Sequence, residues 1–279
     1  MLKRTITGAV LVLIAAPLCY FSDTYFFVCA IAVLSAVGVY EMLGCIGVKK
    51  RKYISVPLIA IAGAFPIMER YFSGRDNGTV EFLAVCFTVV FLLMMYLVMM
   101  PVFTLGATDI SEASTAFVTS VYVMTGFVSL AILRDIKHGQ YLFYIPLVAP
   151  MLCDIFAYLA GRAFGKHKLI PKISPNKTVE GSIGGTLACT LFCVLYGVVL
   201  NSNFEKMLPI WTFAVGGVVI AVISQLGDLA ASAIKRKYDI KDYGKIFPGH
   251  GGVMDRFDSI VATVPVFTLL IAVFNYLNV

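Results

Sequence analysis

The sequence predicts an all-α, polytopic integral membrane protein with about nine transmembrane helices. Hydrophobic residues make up 59% of the 279 residues and charged residues only 14%, whereas a soluble domain has about 45–50% and about 25%. Most of the apolar residues fall into uninterrupted runs of roughly 17–25 residues, the length that crosses a hydrocarbon layer. A β-barrel would instead show weakly alternating segments of about ten residues.

Nine apolar runs are candidate spans, in chain order. They cover approximately residues 5–21, 25–44, 54–68, 82–100, 115–133, 142–161, 183–200, 209–234 and 259–277. The first run follows Lys3 and Arg4 and resembles a secretory signal, but the second run starts almost at once, at Tyr25, and no good small-residue cleavage site lies between them. We therefore expect the first run to be retained as a span. The third run is short, so its boundaries are weak and a re-entrant segment is the alternative.

The lysines and arginines are unevenly distributed between the two sides that these spans define. If the N-terminus is cytoplasmic, most of the 22 Lys and Arg residues fall in cytoplasmic segments, including the basic run 49–52. This distribution is typical of the positive-inside rule. We expect N-terminal transmembrane helices over residues 1–140 and a C-terminal catalytic region over 141–279, with basic cytoplasmic loops at 162–182 and 235–258. Beyond setting topology, such a basic face would attract anionic lipid headgroups and a polyanionic substrate.

Three carboxylates lie inside or at the ends of apolar runs, namely Glu41, Asp154 and Asp228. Because an ionised carboxylate in hydrocarbon is costly, such residues usually face a polar cavity, a partner or a metal ion. The helical face of Asp228 also carries Ser224, Ser232, Lys235 and Arg236. This polar stripe favours Asp228 as a cation ligand. The alternative is an ion pair with Arg236 that only neutralises charge.

The segment 232–259 is the most polar part of the chain and lies between two apolar runs. Its Gly-His-Gly-Gly run at 249–252 lets backbone N–H groups approach an anion without interference from a Cβ atom. Together with neighbouring cations this run predicts a cradle for phosphates, formed with Lys235, Arg236, Lys241, Lys245 and Arg256. Asp255 and Asp258 share one face of a first helical turn. We interpret both aspartates as site residues; the alternative is that they only complement the dipole at the start of a helix. For His250, a structural role is the alternative.

A second polar segment covers residues 153–185. Side chains at four-residue spacing share one helical face there, namely Asp154, Tyr158 and Arg162. Lys177 and Glu180 follow at the mouth of the next span, with Ser174 and Thr178 as capping candidates. The segment is interpreted as a second phosphate or nucleotide contact, and a loop with helix caps is the alternative.

These residue types favour metal-assisted chemistry on a nucleoside triphosphate. Aspartate oxygens are hard ligands that select Mg²⁺ and leave positions for phosphate oxygens. Two acids from different helices, Asp228 and Asp255, would hold Mg²⁺ while Lys and Arg side chains offset charge on a leaving pyrophosphate. The chain has no GxxxxGK[ST] loop and no GxSxG elbow. A transporter or channel is disfavoured because the charged residues cluster at one face, and a purely structural scaffold would not need the glycine turn.

The run SAIKRKYDIKDYGKIFPGHGGVMDRFD at 232–258 resembles the signature of the phosphatidate cytidylyltransferases, also called CDP-diacylglycerol synthases. QLGD at 225–228 and SPNKTVEG at 174–181 also resemble that family. The similarity extends over roughly residues 154–259, and the N-terminal half is similar only in hydropathy. A family of CTP-dependent polyprenol kinases, some of which share a similar C-terminal region, is the nearest enzymatic rival; these would transfer the γ-phosphoryl group instead.

The resemblance implies an enzyme of the bacterial inner membrane, with its active site facing the cytoplasm, that converts CTP and phosphatidic acid into CDP-diacylglycerol and pyrophosphate with Mg²⁺. It further implies a homodimer within membrane lipid, and no nucleic-acid partner. By position, Asp228 and Asp255 would be the metal ligands. The remaining catalytic candidates are Lys235, Arg236 and Asp258. The candidates for substrate binding are Asp154, Lys177, Ser232, Lys241, Lys245, His250, Gly251, Gly252 and Arg256.

Overall fold

The structure is a computed structural model that describes residue 13 and residues 15–204 and 208–277. In this part of the chain, eight helices are long and apolar enough to cross a membrane. They confirm the predicted all-α, polytopic architecture from the second apolar run onward. The first predicted span, over residues 5–21, lies largely outside the described residues.

The helices follow one another with short connections. We number the elements in chain order as α1 Tyr25–Cys45, α2 Lys52–Ser73, α3 Gly78–Phe103, α4 Ile110–Asp135, α5 Gly139–Leu142, α6 Ile145–Phe164, β1 Lys168–Ile170, β2 Ser174–Thr178, α7 Val179–Asn203, α8 Ile210–Lys237 and α9 Met254–Tyr276. The short α5 and the longer α6 together form one candidate span over Gly139–Phe164.

The chain forms two compact units, and each unit is built from two separate stretches of the sequence. The first unit contains the residues up to Ile132 together with Ile240–Arg256. The second contains Leu133–Asp239 and Phe257–Val279. Residues 254–256 of α9 therefore belong to the first unit, and the rest of the helix belongs to the second.

In the first unit, α1 packs along α2 and against α4. A Cβ atom at Gly38 of α1 would lie only 3.0 Å from Val123 of α4, so the close approach of these helices depends on glycine. The outer face of α3 is different, because only 17% of its most apolar 18-residue window is buried by protein. In a membrane such a surface is covered by lipid, since apolar side chains there need no protein partner.

The third predicted span is longer than the sequence indicated. Helix α2 has 22 residues and is long and apolar enough to be a span, as predicted, so only the short length of the run was wrong. The run ended at Met68 because Glu69 and Arg70 follow it, whereas the helix continues to Ser73 and also contains Pro57 and Pro66. Prolines are tolerated in membrane helices where neighbouring groups satisfy the freed backbone carbonyls.

In the second unit, α6, α7 and α8 pack closely through glycines. A Cβ atom at Gly185 of α7 would lie 2.6 Å from the carbonyl oxygen of Cys153 in α6. A Cβ atom at Gly227 of α8 would lie 2.6 Å from the Cβ of Ala262 in α9. Small residues at membrane-helix interfaces permit such approach, and van der Waals packing then holds the helices together. This packing brings the polar residues of α6, α8 and α9 to the same end of the unit.

The segment between α6 and α7 contains a short hairpin that the sequence did not predict. Strands β1 and β2 are antiparallel, with Lys168 paired to Thr178. Thr178 is the N-cap of α7, and its hydroxyl accepts the Gly181 N–H at 3.1 Å, which confirms the predicted cap. Ser174 was also a capping candidate, and this was wrong because Ser174 begins β2.

Candidate active site

The second unit brings three aspartates from different helices close together. Asp154 lies on α6, Asp228 on α8 and Asp258 in the first turn of α9, and each lies within electrostatic range of the other two. The close α8–α9 contact at Gly227 explains this arrangement, because it places the Asp258 backbone against the helix turn that carries Asp228. Like charges this close repel, so the cluster requires cations around it.

Lys177 supplies the nearest cation. Its ammonium group forms an ion pair with the Asp228 carboxylate, and each of these side chains is 27% exposed. Asp154 also lies within electrostatic range of Lys177. The sequence suggested Arg236 as the ion-pair alternative for Asp228, but the partner in the structure is Lys177, 51 residues earlier in the chain. A half-buried pair of this kind is screened by water less than a pair on the outer surface.

The Lys177–Asp228 pair lies in a cleft of about 580 Å³. This volume is in the range of small-molecule sites, roughly 300–1,000 Å³. The cleft combines carboxylates with cations and amides, and its polar lining includes Asp154, Tyr158, Arg162, Lys168, Asn176, Lys177, Ser182, Gln225 and Asp228. Cations in such a lining can bind phosphate oxygens, while the carboxylates can bind a metal ion or sugar hydroxyls.

Two polar networks hold the walls of this cleft. Gln225 of α8 reaches both neighbouring helices: its amide donates to Thr186 Oγ1 at 3.2 Å and contacts Cys153 Sγ at 3.6 Å, and its carbonyl accepts from the Ser182 hydroxyl. Glu180 accepts the backbone N–H groups of Lys166 and His167 at 3.1 and 3.2 Å. These bonds fix the chain between α6 and β1 to the start of α7.

The first unit contains a second, strongly basic cleft of about 620 Å³. It is formed by the 241–256 segment alone, and its lining includes Lys241, Lys245, His250, Gly251 and Arg256. The predicted members of a phosphate cradle thus share one surface, except Lys235 and Arg236, which lie at the end of α8 in the other unit.

The glycine turn in this cleft has a backbone conformation that favours glycine. Gly249 and Gly251 have φ values of 79° and 82°, a region that disfavours residues with a Cβ atom. The Phe247 N–H donates to the Gly251 carbonyl at 2.9 Å and closes the turn. Arg256 Nε donates to the His250 carbonyl at 2.8 Å, which holds the arginine beside the turn.

Asp255 stabilises the same loop from inside. Its Oδ2 atom accepts the backbone N–H groups of Tyr243 at 2.8 Å and of Gly252 at 2.9 Å. These two bonds tie the backbone of the loop to the first turn of α9. Asp255 therefore has a structural role as an acid at a helix N-terminus, which is the alternative that the sequence analysis gave for it.

Several predicted residues lie on α8, one or two turns beyond Asp228. Ser232 and Lys235 are half-buried, and Arg236 is exposed. Lys235 lies within electrostatic range of Asp258. The two residues predicted as metal ligands belong to different units, Asp228 to the second and Asp255 to the first. Among the described residues, no group of three or more His, Cys, Asp or Glu side chains is arranged to hold a metal ion.

Sequence reasoning missed Ser182 and Gln225, and assigned no role to Glu41, whose contacts are described below. Gln225 and Glu41 interrupt apolar runs, and this was the signal that could have identified both. Ser182 gave no such signal, because a serine near the start of a helix is common.

The chain is similar to known proteins over most of its length. A model of the Cytidylyltransferase family matches residues 2–274. A phosphatidate cytidylyltransferase of Staphylococcus haemolyticus is 35% identical over 268 residues, which are 96% of this chain and 98% of the relative. Proteins of the same name are 32% identical in Staphylococcus aureus, over 96% of this chain and 98% of the relative, and 32% identical in Bacillus subtilis, over 89% and 90%.

Proposed function

The chain belongs to the Cytidylyltransferase family, and from this we infer that it transfers a cytidylyl group from CTP to phosphatidic acid, giving CDP-diacylglycerol and pyrophosphate. The observation that carries this conclusion is the match of nearly the whole chain to relatives with that printed activity. The polar clefts agree with it, since one combines carboxylates with cations and the other is strongly basic. The eight helices of the described residues that are long and apolar enough to cross a membrane agree with a lipid acceptor.

The reaction requires little acid–base chemistry from the protein. A phosphate oxygen of phosphatidic acid attacks the α-phosphorus of CTP, a new P–O bond forms, and the bond from the α-phosphorus to the bridging oxygen of the β-phosphate breaks. The leaving pyrophosphate takes the electron pair. Because the nucleophile is already anionic, catalysis depends on positioning and on neutralising charge.

We assign charge neutralisation to the cations of both clefts. Lys177 is the first candidate, because its ion pair with Asp228 holds the ammonium group in the cleft. Lys241, Lys245 and Arg256 would bind phosphate oxygens beside the Gly249–Gly252 turn, together with the N–H groups of that turn. Asp154, Asp258, Ser232, Lys235, Arg236 and His250 remain the other proposed site residues.

Mg²⁺ is proposed as the cofactor, with Asp228 and Asp255 as its protein ligands. The donor chemistry fits, because both are half-buried carboxylates beside cationic clefts. Mg²⁺ commonly uses one or two carboxylates and completes its shell with water and substrate phosphates, so a larger side-chain cluster is not required. When bound, the ion would polarise the phosphoryl oxygens of CTP.

We also propose that the site faces the cytoplasm and that the protein is a homodimer. The orientation is supported by the concentration of Lys and Arg residues in the segments that contain both clefts. It would let CTP enter from the cytoplasm while the acyl chains of phosphatidic acid stay in the bilayer. Crosslinking of the purified protein in lipid nanodiscs would test the dimer, and labelling of single cysteines introduced in 241–256 would test the orientation.

The activity is tested with purified protein and CTP, with phosphatidic acid and a polyprenol both offered as lipid acceptors, with and without Mg²⁺. We expect CDP-diacylglycerol, identified by mass spectrometry, only when both substrates and the cation are present. A CTP-dependent lipid kinase would instead phosphorylate a polyprenol and release CDP. Formation of a polyprenyl phosphate with no CDP-diacylglycerol would overturn the proposal.

A further inference from the structure

Glu41 is a buried acid whose contacts lie far away in sequence. Its side chain, in the last turns of α1, is 4% exposed and reaches the loop that precedes α9. Glu41 Oε2 accepts the backbone N–H of Met254 at 2.9 Å, across 213 residues of chain. Met254 is the first residue of α9, and the first N–H groups of a helix have no intrahelical acceptor. The carboxylate of α1 therefore caps α9 and lies at the positive end of its dipole.

The loop is also shaped around this carboxylate. A Cβ atom at Gly244 would lie 2.0 Å from Glu41 Oε1, and one at Gly252 would lie 2.2 Å from the same atom. Neither position can therefore carry a side chain while Glu41 stays where it is. Oε1 is buried, and among the described residues no hydrogen-bond partner to it is found. Its close contacts with two loop residues thus account for two of the glycines in this segment.

The same loop is held on its other side by Asp255. The Gly252 residue that contacts Glu41 also donates its N–H to Asp255 Oδ2 at 2.9 Å. Asp255 lies within electrostatic range of Glu41. Two carboxylates that share one loop repel each other, which lowers stability. A pair of neighbouring carboxylates that lowers stability in this way is expected where it fixes the position of a functional group.

We propose that Glu41 is a positioning residue for cytidylyl transfer. It fixes the start of α9 and the loop at 244–252, and thereby the place of Asp255 and of the cations of the basic cleft. The inference rests on the proposed function, which assigns Asp255 and this cleft to the metal ion and the CTP phosphates. Glu41 itself belongs to α1 and is not among the residues that line either cleft.

Substitution of Glu41 tests the role kinetically. Glu41→Leu keeps a buried side chain of similar size but removes the acceptor for Met254. We expect kcat at saturating CTP to fall by about 10- to 100-fold, the effect of a misplacement of about 1 Å at a catalytic group. Glu41→Gln keeps a side-chain oxygen that can accept the Met254 N–H, so its kcat should lie within several-fold of the wild-type value. Ser35→Ala removes another buried polar group of α1 as a control and should have no effect.

Limited trypsin digestion of the full-length protein in detergent measures the loop directly. Lys241 and Lys245 lie in the segment between α8 and α9, before and inside the loop at 244–252, and both are exposed. We expect cleavage after them to be faster in Glu41→Leu than in wild type or Ser35→Ala. If Glu41→Leu does not fold, Gly252→Ala disturbs the same contact from the loop side, with Gly74→Ala as its control, since a Cβ atom at Gly74 would meet nothing within 4 Å.

The outcomes separate the two proposals. Unchanged cleavage and unchanged kcat in Glu41→Leu would overturn the role of Glu41. Faster cleavage with unchanged kcat would show that Glu41 holds the loop but does not position the reaction, which also contradicts the inference. A folded Glu41→Gln as slow as Glu41→Leu would contradict the hydrogen-bond basis. If wild type forms no CDP-diacylglycerol, the proposed function fails, and digestion still reports whether Glu41 holds the loop.

Discussion

Replacement of Lys177 by Met tests whether the pair with Asp228 serves the reaction. The substitution keeps the length of the side chain and removes its charge, so Asp228 loses its ion-pair partner and the cleft loses one cation. Both side chains are 27% exposed, which lies between a surface pair, worth about 0–1 kcal/mol, and a fully buried one, where loss of a partner costs about 3–5 kcal/mol. We therefore expect a loss of about 1–3 kcal/mol in the free energy of unfolding.

The expected effect of Lys177→Met on catalysis is larger than its effect on folding. Removal of one preorganised group that stabilises developing charge typically costs about 2.7–4 kcal/mol, or about 10²–10³ in kcat. The assay measures CDP-diacylglycerol formation and thermal unfolding of each variant in the same detergent. Lys172→Met is the matched control, because Lys172 is an exposed lysine of the same hairpin outside the cleft lining. Equal kcat/KM in the Lys177 and Lys172 variants would refute the assignment.

Three further predictions concern the metal, the helix packing and the cap. Asp255→Asn keeps one oxygen that can accept the loop N–H groups but removes the charge, so activity should fall by about 10² or more while thermal unfolding changes little; a variant that keeps its Mg²⁺ dependence and rate would contradict the ligand role. Gly185→Ala forces a Cβ atom to 2.6 Å from the Cys153 carbonyl, and it should lower the free energy of unfolding by about 1–3 kcal/mol, whereas Gly74→Ala should not. Thr178→Val removes the N-cap hydroxyl of α7, and a destabilisation of about 1 kcal/mol is expected in chemical unfolding; no change there would show that the cap is dispensable.

The transmembrane helices could be predicted from sequence because span length and hydropathy are local properties. Every apolar run from Tyr25 onward corresponds to a helix, and most helices extend beyond their runs because their polar terminal turns are not part of the apolar pattern. The hairpin at 168–178 was missed, because three- and five-residue strands in a basic loop leave no alternation to detect.

The candidate site was only partly predictable, for a physical reason. Intramembrane acids reveal themselves by the cost of burying charge, and this identified Asp154 and Asp228. Their partners are set by tertiary packing, so the sequence could not show that Lys177 pairs with Asp228. In the same way, Glu41 was visible as an acid in an apolar run, but its contact with Met254 depends on how α1 packs in the folded unit.

The central claim is that the cytidylyl group, and not a phosphoryl group, passes to phosphatidic acid. It is tested most directly by incubating the purified protein with phosphatidic acid and CTP that is radiolabelled at either the α- or the γ-phosphorus, followed by organic extraction. We predict that the α-label enters the lipid phase and that the γ-label stays in the aqueous phase as pyrophosphate. Recovery of the γ-label in the lipid, with the α-label left in water, would contradict the account.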